Sequence, residues 1–188
     1  MNGKQIVNAV RPLAILILAI WIVEVVNLLL GYRLNAWLGL HPRDAWGLIG
    51  IATMPFLHGS LAHAAANTVP LGILGGTMLL VAPTRFRTAT IAIVAVTGFA
   101  VWLLARPGTV HVGASGLVFG WFGFVMALGF IERSFRAILG AAVVFLIYSG
   151  MIWGAVPTFG QQVSWEAHLF GALAGGGIAY LLGRKRRQ

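Results

Sequence analysis

Six apolar blocks, each close to the length that crosses a bilayer, divide this chain and leave little room for any other architecture. A hydrocarbon core about 30 Å thick takes roughly 20 residues of α-helix. The blocks lie at about residues 13–30, 58–81, 88–105, 113–131, 137–154 and 165–182, with Pro83, Pro107 and Pro157 in the gaps. Across 188 residues there are only 13 Lys or Arg and 4 Asp or Glu, and 59% of the side chains are apolar. Soluble domains are typically about 25% charged, so a water-soluble fold of this size would lack polar surface. The expected fold class is an all-α membrane protein, a bundle of six transmembrane helices forming one domain over residues 1–188. The apolar stretch 45–82 is too long for one span and too polar in its middle for two. Its first part, 45–57, is expected to be an interfacial or re-entrant element. The first block starts well inside the chain and lacks a small-residue cleavage site, so it reads as a retained span.

Charge orients the bundle. With the N-terminus inside, Lys4, Arg11, Arg85, Arg87, Arg133, Arg136 and the run Arg184-Lys185-Arg186-Arg187 all fall inside. Only Arg33, Arg43 and Arg106 fall outside. That asymmetry predicts both termini in the cytoplasm, and an extra or missing helix would spoil it. The net charge of +9 does not point to nucleic acid, because the cations are scattered between apolar blocks. The absence of cysteine excludes disulfides, thiolate metal sites and cysteine nucleophiles.

Membrane helices avoid strongly polar groups that have no role. His63 and Asn67 are four apart and share a face of the second helix. Ser115 opens the fourth helix within Gly113-Ala114-Ser115-Gly116, and His168 lies three residues into the sixth. Taken singly, each has a plain packing explanation. Together they fall in the outer third of three helices that all run from outside to inside, which a shared polar cavity open to external water explains. Gly116 and Gly120 on the fourth helix, and Gly171 and Gly175 on the sixth, are spaced for close helix crossing. Such a crossing would bring Ser115 to His168.

A serine hydroxyl is a weak nucleophile until a base takes its proton. His168 is the candidate base. A triad would need a carboxylate behind it, but Glu24, Asp44 and Glu132 belong to other regions or depths, and Glu166 points away round its helix. A serine hydrolase here would therefore use a Ser–His dyad, with the imidazole oriented by packing; Phe119, one turn after Ser115, is placed to stack on it. The Ser115 amide at a helix N-terminus, with side-chain donors from His63 and Asn67, would supply an oxyanion hole. His58 is expected to tie down the loop above the site. His111 reads as an exposed loop histidine, and His41 gives no reading.

With these residues in place the sequence resembles the rhomboid family of intramembrane serine proteases. The matching residues are His58-x4-His63-x3-Asn67, Gly113-x-Ser115-Gly116, and Ala167-His168 with Gly171, in that order, on three of six helices. The likeness in layout covers about residues 10–183. It implies Ser115 as nucleophile, His168 as general base, an oxyanion hole of His63, Asn67 and the Ser115 amide, and Gly113 shaping the turn before the serine. It implies no cofactor and no metal. It further implies substrates that are transmembrane segments of single-span proteins, cut in or near the outer part of the span, in the inner membrane of a cell. The fifth helix and the loop 157–164 would resemble a lateral gate and cap. The first loop departs from the family pattern: family members often carry a Trp-Arg pair there, whereas this chain has His41-Pro42-Arg43 and Ala45-Trp46. No cytosolic domain is expected at either end, which argues against regulation in cis by a soluble domain.

Two other readings compete. One is a catalytically inactive relative that binds membrane helices, against which the intact Ser115/His168 pair argues. The other is a small transporter using membrane histidines. It would want acids in the bundle and internal repeats, and Glu24 is the only mid-span acid. His58 and His63, five apart, are poorly spaced for a metal. No H-E-x-x-H occurs, and Asp44 is the only aspartate, which disfavours metallo- and aspartyl-protease chemistry.

Overall fold

The computed structural model of the chain describes residues 3–157 and 164–184. Its helices are α1 (Gly3–Leu29), α2 (Arg33–Leu38), α3 (Gly50–Thr53), α4 (Leu61–Val81), α5 (Phe86–Leu104), α6 (Ser115–Glu132), α7 (Phe135–Tyr148) and α8 (Trp165–Arg184). Among the described residues the only extended pairing is a bridge between Leu40 and His111.

Five stretches among these residues are long and apolar enough to cross a membrane: Val7–Leu29, Leu61–Val81, Pro83–Leu104, Ser115–Glu132 and Phe135–Ala155. The chain is an integral membrane protein. The sixth expected block is helical, as α8, but it is not among the five. Glu166, His168 and the run Gly175-Gly176-Gly177 dilute its apolar content.

Helix α6 is the centre of the bundle. Within its span 56% is buried inside the protein, against 17–33% for the other four. Trp121, Phe124 and Leu128 of α6 are fully buried in one apolar cluster that includes Ile20 of α1, Leu71, Leu74 and Met78 of α4, Ile93 of α5 and Ala179 of α8. Lipid tails are as apolar as leucine, so burial alone does not bring such helices together; close packing does. The α6–α8 contact shows how. A Cβ on Gly171 would collide with the Gly116 carbonyl, one on Gly175 with the Gly120 carbonyl, and one on Gly123 with the Ala172 carbonyl. The two backbones touch, and only glycine permits it at these positions.

Two helix boundaries differ from expectation. Helix α4 begins at Leu61, not His58. Ser60 takes the N-cap position in extended backbone, and its side-chain oxygen accepts the His63 N–H at 3.1 Å. His58 therefore sits in the preceding loop. The fifth helix does not run to residue 154: α7 stops at Tyr148, and Ser149–Ala155 continue as 3-10 turns. Gly150 and Gly154 weaken an α-helix there, and Pro157 closes it.

The first loop is well built. Leu40 and Met54 are buried with Val101, Ala105 and Ala167 in a second, smaller apolar cluster. The stretch 45–57 forms short helical turns with Trp46 and Leu48 turned outward. Arg43 donates to the carbonyls of Leu103 (3.2 Å) and Ala105 (2.7 Å), which the end of α5 leaves without intrahelical partners. At the other end of the bundle Arg85 pairs with Glu132. Of the loop 157–164, expected to resemble a cap, residues 158–163 lie outside the described residues, as do the cations 185–187.

Candidate active site

Ser115 is the first residue of α6, and its hydroxyl lies 2.8 Å from Nε2 of His168, one turn into α8. The opposite ring nitrogen, Nδ1, lies 2.8 Å from the carbonyl of Gly154. A carbonyl only accepts, so Nδ1 carries a proton, and in the neutral ring Nε2 then presents a lone pair to the serine O–H. Phe119 lies flat on the imidazole, with ring centroids 4.1 Å apart and planes 5° from parallel. The ring is thus held at an edge and on a face.

The segment before Ser115 is fixed by the first loop. The N–H groups of His111, Gly113 and Ala114 donate to Leu40 O (2.9 Å), Met54 O (2.9 Å) and His58 Nε2 (3.3 Å). Burial, reinforced by the neighbouring His63, pushes the His58 imidazole down to about 4, so it is neutral at physiological pH and accepts that bond. The His58 carbonyl in turn accepts from Asn35 (2.9 Å) and Asn27 (3.3 Å). His58 thereby ties α1, the first loop and the start of α6 together. Gly113 has φ +120°, and a Cβ there would sit 2.9 Å from the His63 ring. Glycine is required at this turn on both counts.

His63, Asn67, Ser115 and His168 all line one open cavity of about 920 Å³. The Gly59 N–H points at His63 Nδ1 from 3.5 Å. That contact leaves the proton on Nε2, beside Gly113. Asn67 gives one amide N–H to the His63 carbonyl of its own helix at 3.0 Å and keeps a second N–H. Gly116 faces Ala167, with the Ala167 carbonyl 3.4 Å from where its Cβ would be.

His111 is a correction. It is buried, not exposed, at 3% accessibility, and it lines the same cavity. Burial pushes its imidazole down, opposed by Glu166 and assisted by Arg106 and His41. Glu166 is held by Arg106 through Nε–Oε1 at 2.6 Å and Nη2–Oε2 at 3.4 Å. Neither it nor any other carboxylate is hydrogen-bonded to His168 among the described residues; the group behind the imidazole is the Gly154 carbonyl. Sequence reasoning missed that group, because a backbone acceptor belongs to no residue type.

The geometry is that of a hydroxyl poised on a neutral, anchored imidazole inside a membrane protein, beside a cluster of N–H donors. The family model for the Rhomboid domain matches residues 42–185. The chain belongs to the rhomboid family. Uncharacterized proteins of Mycobacterium tuberculosis (strain ATCC 25618 / H37Rv) and Mycobacterium bovis are each 40% identical to it over 177 residues, covering 90% of this chain and 73% of theirs. An uncharacterized protein of Mycobacterium leprae is 36% identical over 177 residues, covering 90% and 69%.

Proposed function

We propose that the protein is an intramembrane serine endopeptidase working through a Ser115–His168 dyad. The observation that carries this reading is the 2.8 Å contact between Ser115 Oγ and His168 Nε2, with Nδ1 committed to Gly154. Family membership supports the same chemistry.

His168 Nε2 takes the proton as Ser115 Oγ attacks the scissile carbonyl carbon. The carbonyl oxygen becomes an oxyanion, stabilised by the Ser115 N–H, His63 Nε2–H and the free Asn67 N–H. The imidazolium that forms keeps its Nδ1–H on the Gly154 carbonyl. It then gives the Nε2 proton to the leaving amine nitrogen as the C–N bond breaks. Water attacks the acyl-serine with the same imidazole as base, and the serine is regenerated. Phe119 holds the ring in plane throughout.

The substrates are single-span membrane proteins, cut in or near the outer part of the span. A transmembrane helix hides its peptide bonds in its own hydrogen bonds, so it must unwind locally to be cut. In this reading α8 is a sixth span, both termini are cytoplasmic, and the site opens to the extracytoplasmic side of the inner membrane. The distribution of cations and the run of polar residues at one depth support that orientation.

The test is cleavage in proteoliposomes of a single-span reporter with Gly and Pro in the outer part of its helix. Wild type should cut it and Ser115→Ala should not. A folded wild-type protein that retains the reporter without cutting it would favour the inactive, helix-binding reading.

A further inference from the structure

His111 is a buried imidazole with both nitrogens engaged, and the mechanism above does not use it. Its Nε2 lies 2.8 Å from Thr109 Oγ1 and its Nδ1 2.6 Å from Ser164 Oγ. The direction of each bond follows from its neighbours. Thr109 has one hydroxyl proton and gives it to the Arg106 carbonyl at 2.7 Å. Thr109 Oγ1 therefore accepts from His111 Nε2–H, and Nδ1 is left as an acceptor for the Ser164 O–H. Ser164 Oγ accepts the Ala167 N–H at 3.2 Å, while the Ser164 carbonyl accepts the His168 N–H at 3.3 Å. Ser164 is thus the N-cap of α8, and it holds the turn that carries His168.

The two ends of this chain of bonds matter. His111 is four residues before Ser115, on backbone paired with Leu40. Ser164 is four residues before His168. Below the dyad the α6–α8 spacing is set by glycine against carbonyl. Above it, the His111–Ser164 hydrogen bond links the segment entering α6 to the cap of α8, alongside the Arg106–Glu166 pair. Catalysis is sensitive to displacements of about 1 Å in such a pair.

We propose that His111 is a positioning residue that sets the registry of Ser115 and His168 through Ser164. The proposal rests on the dyad reading. It adds that the dyad distance is maintained from outside the dyad, by one neutral imidazole with a defined proton order.

The probe is an alkyl fluorophosphonate, and the readouts are the saturating labelling rate and the probe concentration at half that rate. His111→Ala should lower the saturating rate about tenfold or more and leave the half-saturating concentration near wild type. His111→Asn, which offers an acceptor near the Nδ1 position, should recover most of the rate. Ser164→Gly removes the hydroxyl while keeping a tolerated N-cap residue. It should match His111→Ala, and the double variant should be no slower than either single one. Additive losses in the double variant, or a wild-type rate in folded His111→Ala, would overturn the proposal. If His111→Ala does not fold, the Asn and Gly variants carry the same decision. A folded wild type that takes no label would remove the dyad and this proposal with it. A labelled wild type with unaffected variants would remove this proposal alone.

Discussion

Phe119 and His168 are stacked face to face, 4.1 Å between ring centres and 5° from parallel, at the point where α6 meets α8. Residue 119 is one turn beyond Ser115, so a single helix presents both the hydroxyl and the surface that keeps the imidazole turned toward it. An aromatic pair of this kind is worth about 0.5–1.5 kcal/mol beyond its burial. Phe119→Ala should therefore slow cleavage by up to about tenfold. Phe119→Tyr, which keeps the ring, should stay close to wild type. Reporter cleavage rates for the two variants check this.

If His63 and Asn67 are the oxyanion donors, as proposed, their loss should be separable from loss of the dyad. Removing one oxyanion donor typically lowers kcat by about 10²–10³. His63→Ala and Asn67→Ala should each lose activity on that scale without reaching the null level of Ser115→Ala. Steady-state kinetics on the reporter measure it. An unchanged kcat in both would place the oxyanion elsewhere.

Glycine substitutions should sort by what they touch. Gly171→Ala drives a methyl into the Gly116 carbonyl, whereas Gly176 has nothing within 4 Å of its Cβ position. Overpacking of this kind costs about 1–3 kcal/mol. Thermal unfolding in detergent should show Gly171→Ala clearly destabilised and Gly176→Ala near wild type. Gly171→Leu should be inactive.

Gly113 should fail for two reasons. Its φ of +120° disfavours any side chain, and the new methyl would press on the His63 ring. Gly113→Ala should lower activity sharply, with a smaller loss of thermal stability. The pair of measurements separates a site effect from unfolding.

His58 makes stability depend on pH. Its folded value near 4 lies below the 6.5 of a free imidazole, so the unfolded chain binds more protons between those limits. The contribution to stability is therefore complete above about pH 6.5 and is lost as the pH falls toward 4. At about 1.4 kcal/mol per unit, the loss amounts to about 3 kcal/mol. Denaturation midpoints across pH 4–7 should fall on acidification. A flat profile would mean that the His58 Nε2 does not depend on being neutral.

Much of the site is visible in the sequence because membrane helices exclude polar groups, so each one present carries information. Ser115, His168, His63 and Asn67 stand out against apolar neighbours, and the structure lines one cavity with all four. The glycine pairs on α6 and α8 are similarly legible, since the spacing itself describes a contact. Three features leave no such trace. The Gly154 carbonyl is backbone, and its position depends on where α7 gives way to 3-10 turns. His111 reads the same in sequence whether exposed or buried, and its partner Ser164 is 53 residues away. His58 reads as the start of a helix until Ser60 is seen to cap α4. The expectation of a sixth span meets a related difficulty: α8 is helical but is not among the five apolar stretches, as its polar and glycine residues lower its hydropathy.

In the proposed mechanism everything depends on the activation of Ser115 by His168. The most direct measurement is the intact mass of the detergent-solubilised protein after incubation with a fluorophosphonate, followed by mapping of the modified peptide. One phosphonyl adduct is expected on wild type, located at Ser115, and none on Ser115→Ala or His168→Ala. An adduct that persists in Ser115→Ala, or a folded wild type that takes none, would contradict the mechanism.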